Sequence, residues 1–265
     1  MKKVAIYCVT YHSYDSLYNY LSSIEVAVEK MIEKIELSVL VADNSVPSKE
    51  VDYTPPKGFS IHVIKTNENK GYFGAIHLLM QTYNPIYYDY SIISNVDVLL
   101  SEEFFNQLEN FTSNSDIGWI APTIYSTAHQ FDFNPQALNR YSRYKMDALR
   151  LMFKFPWLLK LKQRFLHQYR NITQYQSGPI YAGHGSFIIL TKLFFERCGI
   201  INYPIFLYGE EIFLAEVCRI NALEVFYEPN IKVTDIGRVS TGNIPSRQYC
   251  RYNYLAMDYI IKTFY

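Results

Sequence analysis

The chain has 265 residues, 49% hydrophobic and 17% aromatic, and its 25 basic and 25 acidic side chains cancel to zero formal net charge. A chain this long and apolar can bury a sizeable core, which excludes intrinsic disorder, and its neutral balance excludes a surface built as a whole for nucleic acid. The four cysteines, Cys8, Cys198, Cys218 and Cys250, lie far apart with no C-x-x-C pair, so they read as buried thiols in a reducing compartment rather than as zinc ligands or a disulfide framework.

Residues 4–10 form a short apolar run behind Met1-Lys2-Lys3. The run is too short for a secretory leader and reads as a first strand. Across 16–36, apolar residues recur at helical spacing through Leu17, Leu21, Ile24, Val28, Met31, Ile32 and Ile35, which predicts a helix. Strands come next at 37–42 and 59–65, then a helix at 71–83 and a strand at 90–94. Beyond a basic stretch, 181–190 reads as a glycine-broken strand, 210–222 as a helix and 225–233 as a late strand. Strand–helix alternation with apolar strands implies an α/β fold, a mostly parallel sheet with helices on both faces.

Ligands of such sheets bind beyond the carboxyl ends of the strands. The polar residues there are Asp43-Asn44, the 67–74 loop and Asn95-Val96-Asp97. Neither a G-x-G-x-x-G nor a Walker lysine motif stands after an early strand, so nucleotide binding is expected by other means. Asp97 offers hard oxygens to a divalent cation that shares diphosphate oxygens. Glu210-Glu211 opens an apolar helix; first-turn acids are expected from the helix dipole alone, but apolar flanks can tune a carboxylate as a general base. Asp235 comes just after the late strand, and Gly183-His184-Gly185 suggests a close approach of backbone to ligand.

In this order, the residues resemble a family 2 glycosyltransferase with the GT-A (Rossmann-like) fold. The branch most similar contains rhamnosyltransferases and galactofuranosyltransferases of bacterial surface polysaccharides. The resemblance spans 4–125 and 181–241. It is carried by Val9-Thr10-Tyr11-His12-Ser13, Val41-Ala42-Asp43-Asn44-Ser45, Asn67-Glu68-Asn69-Lys70-Gly71-Tyr72-Phe73-Gly74, Asn95-Val96-Asp97-Val98, 183–189, and Phe206-Leu207-Tyr208-Gly209-Glu210-Glu211. Val233-Thr234-Asp235-Ile236-Gly237 stands where the family often carries V-x-H-x-G.

The resemblance implies one domain over 1–265, with a nucleotide-sugar-binding half (1–125) and an acceptor and catalytic half (181–265). It implies Thr10, Tyr11, Asp43, Asn44, Asn69, Gly71, Asn95 and Asp97 around a dTDP- or UDP-linked donor, and Gly183, His184, Gly185 and Tyr208 near a saccharide or lipid-linked acceptor. Asp97 and Asp235 would hold Mn2+ or Mg2+, Glu211 would be the catalytic base beside Glu210, and transfer would be inverting. Two positions depart from the family: Glu211 stands where Asp is usual, and Asp235 where His is usual.

The segment 138–171 has no counterpart in the resemblance. It holds nine Lys or Arg residues against one acid, Asp147, interleaved with Leu149, Phe153, Phe155 and Trp157, and Pro156 is expected to divide it into two short helices. It reads as a basic amphipathic insertion lying on an anionic membrane surface, as an oligomer contact, or as a charged surface over a core helix. The expected location is cytoplasmic, peripheral on the inner face of the plasma membrane. The rival readings are a catalytically inactive relative that binds sugar or acts as a scaffold, and a nucleotidyltransferase, which would need a basic glycine-rich loop where Tyr11-His12-Ser13-Tyr14 stands.

Overall fold

The structure is a computed structural model that describes residues 1–51, 58–112, 116–158, 175–237 and 246–265. Among the described residues ten strands form one sheet in the order β3-β2-β1-β4-β9-β6-β10-β5, with β7 on β6 and β8 on β10. The strands are β1 (Lys3–Thr10), β2 (Glu36–Asp43), β3 (Phe59–Lys65), β4 (Tyr90–Asn95), β5 (Val98–Leu100), β6 (Ile117–Ser126), β7 (Phe131–Asp132), β8 (Gly178–Ile180), β9 (Phe187–Thr191) and β10 (Glu224–Asp235). The long ladders, β1 with β2 and β4, β2 with β3, and β6 with β10, are parallel. β9 runs antiparallel between β4 and β6. β4 and β6 therefore point the same way, and the carboxyl ends of β1, β2, β4, β6 and β10 share one edge.

Strand alternation makes two cores. Along β1, Ala5 and Tyr7 join Leu40, Phe73 and Trp119 on one face, while Val4, Ile6 and Cys8 join Leu17, Val39 and Ile120 on the other. Helices α1 (Tyr14–Glu29) and α3 (Phe104–Asn110) cover the second face through Leu21, Ile24, Phe104 and Leu108. Helices α2 (Tyr72–Thr82), α5 (Lys192–Cys198), α6 (Glu210–Ile220) and α7 (Ser246–Phe264) cover the first through Ile76, Phe194, Phe213 and Ile260. Helices thus lie on both faces, as the alternation of elements predicts.

Several boundaries differ from the sequence expectation. α1 stops at Glu29 rather than continuing to 36. The Asn106 side chain accepts the Ile32 N–H at 2.9 Å and donates to the Lys30 carbonyl at 3.0 Å, so a tertiary contact takes over the chain where helical periodicity alone would extend it. Residues 181–186 are not strand. The Ala121 Cβ and the Trp119 ring would each stand 2.8 Å from a Cβ on Gly183, and the His184 N–H donates to Asn134 Oδ1 at 2.7 Å, which turns this segment into a loop between β8 and β9. Strands β5, β6 and β7 and helices α3, α5 and α7 carry no clear signal in the sequence. All four cysteines are free thiols, three of them buried.

Helix α4 (Arg143–Lys154) ends before Pro156, and residues 156–158 are helical again, which is the division expected at Pro156; the rest of the basic segment, 159–171, lies outside the described residues. One face of α4 is structural. Met146 is buried, Leu149 and Phe153 pack against the core, and Arg150 bridges Asp147 at 3.0 Å and Asp258 of α7 at 3.1 Å. Tyr144, Leu151 and Phe155, with Trp157 beyond the helix, are exposed. Among the described residues no helix is long and apolar enough to cross a membrane.

Candidate functional site at the carboxyl edge

Register places the expected donor-side residues next to one another. Thr10 pairs with Asp43, and Val9 pairs with Asn95, so the ends of three adjacent strands supply Thr10, Asp43 and Asn95. The Asp43 carboxylate is fully buried. Its Oδ2 accepts the Tyr14 hydroxyl at 2.9 Å, and its Oδ1 accepts the Ser45 N–H at 2.9 Å. The Tyr14 oxygen in turn accepts the Lys49 N–H at 2.8 Å. A buried carboxylate needs such donors; Tyr14 supplies one, and no sequence signal links it to Asp43. Tyr11 is exposed beside His12, with their rings edge-on at 4.6 Å.

Asn44 and Asn69 shape the 67–74 loop. The Asn44 amide donates to the Gly71 carbonyl at 3.0 Å and to Asn69 Oδ1 at 3.3 Å, and the same Asn69 oxygen accepts the Gly71 N–H at 3.0 Å. Gly71 has φ +74°, and a Cβ there would stand 2.1 Å from the Phe206 carbonyl oxygen. Only glycine fits this position. That oxygen also accepts the Tyr72 N–H at 3.2 Å, so the 67–74 loop docks directly on the segment leading to Glu210 and Glu211.

The turn before α6 is strained. Tyr208 has φ 72°, and Gly209 comes next at φ 81°. Consecutive left-handed residues, one of them bulky, persist only where the surroundings hold them. Here the Tyr208 N–H donates to Glu210 Oε1 at 2.9 Å, the Tyr203 hydroxyl donates to the Tyr208 carbonyl at 2.8 Å, and the Tyr208 ring meets Tyr249 edge-on at 5.0 Å. Non-glycine residues with positive φ also stand at His12 and Asn67, in the loops after β1 and β3, so backbone strain gathers along this edge.

Glu210 is buried and Glu211 half-buried. Burial first, then the neighbouring Glu211 charge, pushes Glu210 up to about 8; burial raises Glu211 as well. Adjacent carboxyls of this kind titrate as a pair. Glu210 is committed to its own turn through Tyr208. Glu211 Oε2 lies against Gly185, 3.4 Å from where a Cβ would stand, which brings Glu211 to the 183–185 loop. Tyr72 ties the 67–74 loop to the 183–185 loop. Its hydroxyl makes a long hydrogen bond to the Gly185 carbonyl at 3.4 Å, and burial, then Glu210, with Asp97 among the other charges around it, holds the phenol well above its ordinary value. Sequence reasoning marks Asn69 and Gly71 within the 67–74 loop and misses this tyrosine beside them.

Asp97 and Asp235 meet through the backbone. β5 and β10 pair Asp235 with Val98, and the Ile236 N–H donates to the Asp97 carbonyl at 3.1 Å. Both aspartates are buried. Among the described residues no group of three His, Cys, Asp or Glu side chains forms a metal cage. The carboxylate is the hard oxygen donor that Mg2+ and Mn2+ take, and these ions use one or two protein oxygens and complete their shell from water and phosphate.

His184 is held by Ser186 and Phe133. Its Nδ1 lies 2.9 Å from Ser186 Oγ and accepts the Ser186 N–H at 3.3 Å, and its ring stacks on Phe133 at 4.8 Å. Accepting at Nδ1 puts the proton of a neutral ring on Nε2. The Ser186 carbonyl accepts the Asn95 N–H at 2.9 Å, which joins this loop to the end of β4. Gly183 is explained by its packing on Trp119.

Solved structures share this architecture. TarS 1-349 of S. aureus matches with a TM-score of 0.54 at 11% identity, covering 88% of this chain and 60% of that one. GalNAc-T7, solved with UDP, GalNAc and Mn2+, matches with a TM-score of 0.59 at 13% identity, covering 100% of this chain and 50% of that one. A second TarS structure of S. aureus gives 0.57 at 10% identity, covering 89% and 37%. The chain therefore spans between 37% and 60% of the length of these chains. The mixed α/β sheet with helices on both faces is the glycosyltransferase fold expected from the sequence. No family model and no curated protein matches the sequence.

Proposed function

We propose that the chain transfers a sugar, with inversion, from a UDP- or dTDP-linked donor to a hydroxyl of a saccharide acceptor. One observation carries this reading: the donor-side loop at Gly71, the raised carboxyl pair at Glu210 and Glu211, and the Asp97–Asp235 edge converge around Tyr72. The shared fold with GalNAc-T7 in its complex with UDP, GalNAc and Mn2+ supports a nucleotide-sugar donor and a divalent cation.

In this reading Thr10, Tyr11, Asp43 and Asn95 line the nucleotide, with Asp43 held rigid by Tyr14 and Ser45. Asn44, Asn69 and Gly71 shape the loop beside the donor sugar. Asp97 and Asp235 would hold Mn2+ or Mg2+, which offsets the charge developing on the leaving diphosphate. Glu211 takes the proton from the acceptor hydroxyl as that oxygen attacks the anomeric carbon, and a carboxyl raised toward neutrality suits that role. Glu210 fixes the strained Tyr208 turn, while burial keeps the Glu211 carboxyl raised. His184, Gly185 and Tyr208 border the acceptor side, and Gly183 sets the course of their loop.

The exposed Tyr144, Leu151, Phe155 and Trp157 beside Arg143 and Lys154 support contact of the 138–158 face with an anionic lipid surface, which suits a lipid-linked acceptor. Leu149 and Phe153 take no part, because they face the core.

Incubation with UDP- and dTDP-sugars, Mn2+ and saccharide acceptors tests the reading. Wild-type protein should release nucleoside diphosphate, and Glu211→Gln should lose about 10²–10⁴ in rate with UDP affinity retained. No release from any donor, or an undiminished rate in Glu211→Gln, contradicts it.

A further inference from the structure

At the β6–β10 side of the sheet, a groove of about 1190 Å3 runs over β6, β7 and β10, walled by the 134–142 loop, the start of α4 and residues 175–177. Its floor is hydrogen-bonded throughout. Asp132 Oδ1 accepts the Ile124 and Asn134 N–H groups, each at 2.8 Å, and Oδ2 accepts the Tyr227 hydroxyl at 2.8 Å, which also meets Thr123 Oγ1 at 3.1 Å. A floor held this way keeps its shape when empty, a condition for binding without a large ordering cost.

Rings are presented above that floor. Tyr125 is 40% exposed, with its hydroxyl fixed to Gln130 Oε1 at 3.1 Å, and Tyr175 is 39% exposed. Fixed, half-open aromatic faces among amides and hydroxyls suit the alternating apolar and hydroxylated faces of sugars better than a wholly apolar ligand. The charge is cationic. Lys232 is exposed and makes no ion pair among the described residues, and Lys145 lies 3.5 Å over the Tyr141 ring. The one acid of the floor, Asp132, has its oxygens turned to its own donors.

The groove is wired to the catalytic helix at two points. Asn134 donates to the Pro122 carbonyl at 2.6 Å and accepts the His184 N–H at 2.7 Å, and the next residue, Gly185, is the one Glu211 Oε2 touches. On the other wall, Arg140 makes a bidentate pair with Glu216, on the same helix as Glu211, at 2.7 and 3.1 Å.

We propose that this groove is a binding site for an acidic oligosaccharide, a chain of sugars carrying carboxylate groups, which it grips at Tyr125 and Lys232 and leads past His184 toward Glu211. Its role as the acceptor track rests on the sugar-transfer reading; the binding itself does not.

The test is titration calorimetry at low salt with heptagalacturonate and with maltoheptaose, a neutral chain of equal length. Heptagalacturonate should bind about tenfold more tightly, the effect of one charge-assisted contact, and should weaken with added salt. Lys232→Glu should abolish that preference while leaving maltoheptaose unchanged, and Tyr125→Ala should weaken both sugars about fivefold. Equal affinity for the two, no binding of the acidic chain, or an unaltered preference in Lys232→Glu overturns the proposal. Stabilisation by UDP with Mn2+ is read on the same samples. Glycan binding without it leaves the groove standing and defeats the donor reading; the reverse defeats the groove alone.

Discussion

The Phe206 carbonyl oxygen stands 2.1 Å from where a Cβ on Gly71 would lie, and it accepts the N–H of the residue after that glycine at 3.2 Å. This contact couples the loop expected to hold the donor sugar to the segment carrying Glu210 and Glu211. Gly71→Ala must hold a backbone at φ 74°, ψ −173° that is essentially reserved for glycine, at about 1–3 kcal/mol, and must push the two segments apart as well. Thermal melts should show a loss of at least that size, and UDP titration of the folded variant should show weakened binding. A variant with unchanged melting and UDP affinity would mean the coupling has no role.

The carboxyl pair should make stability depend on pH. Both folded-state values are raised above an ordinary carboxylate near about 4.3, so the folded protein holds protons there that the unfolded chain releases. That contribution to stability is complete below the unfolded value and is lost as pH rises through the raised ones. Glu210→Gln removes one titration and keeps an acceptor for the Tyr208 N–H. Its melting temperature should fall less between about pH 5 and 8 than that of the wild type. Parallel curves would show that the pair is not perturbed.

Glu216 ties the 134–142 loop and Tyr181 to α6. It is fully buried, bound by Arg140 and Arg219 at 2.7 and 2.9 Å and by the Tyr181 hydroxyl at 2.7 Å. Burial alone would raise it, but hydrogen bonds from Arg140, Tyr181 and Arg219 prevail and hold the carboxyl below its usual range. Glu216→Ala should cost about 3 kcal/mol, the low end for a broken buried pair because both guanidiniums are more than a third exposed. Chemical denaturation measures it, and a loss below about 1 kcal/mol, the worth of a surface pair, would show that the cluster is not held as a unit.

Much of the fold and of the donor edge is legible in the sequence because strand ends carry local signals. The strand at 59–65 is observed at those bounds, and Asp43, Asn95 and Asp97 stand out as the polar residues that close buried apolar runs. The features that stay hidden depend on distant partners. Nothing near Ile32 announces that Asn106 will end α1, and nothing at Tyr14 points to Asp43. β6 escapes detection although Trp119, Ile120 and Ala121 are fully buried, because Gly118 and Pro122 interrupt its pattern. The groove is illegible for the same reason: its floor joins residues from β6, β7 and β10 whose side chains meet only after the sheet forms.

The most direct test of the account is thermal stability with UDP, with and without Mn2+, in wild type and Asp97→Asn. At 100 times its dissociation constant the nucleotide should stabilise the fold by about 2.7 kcal/mol, in a metal-dependent way, and Asp97→Asn should lose the metal-dependent part. No shift in the wild type, or a shift indifferent to Mn2+ and to Asp97, would contradict a metal-assisted nucleotide-sugar site at this edge.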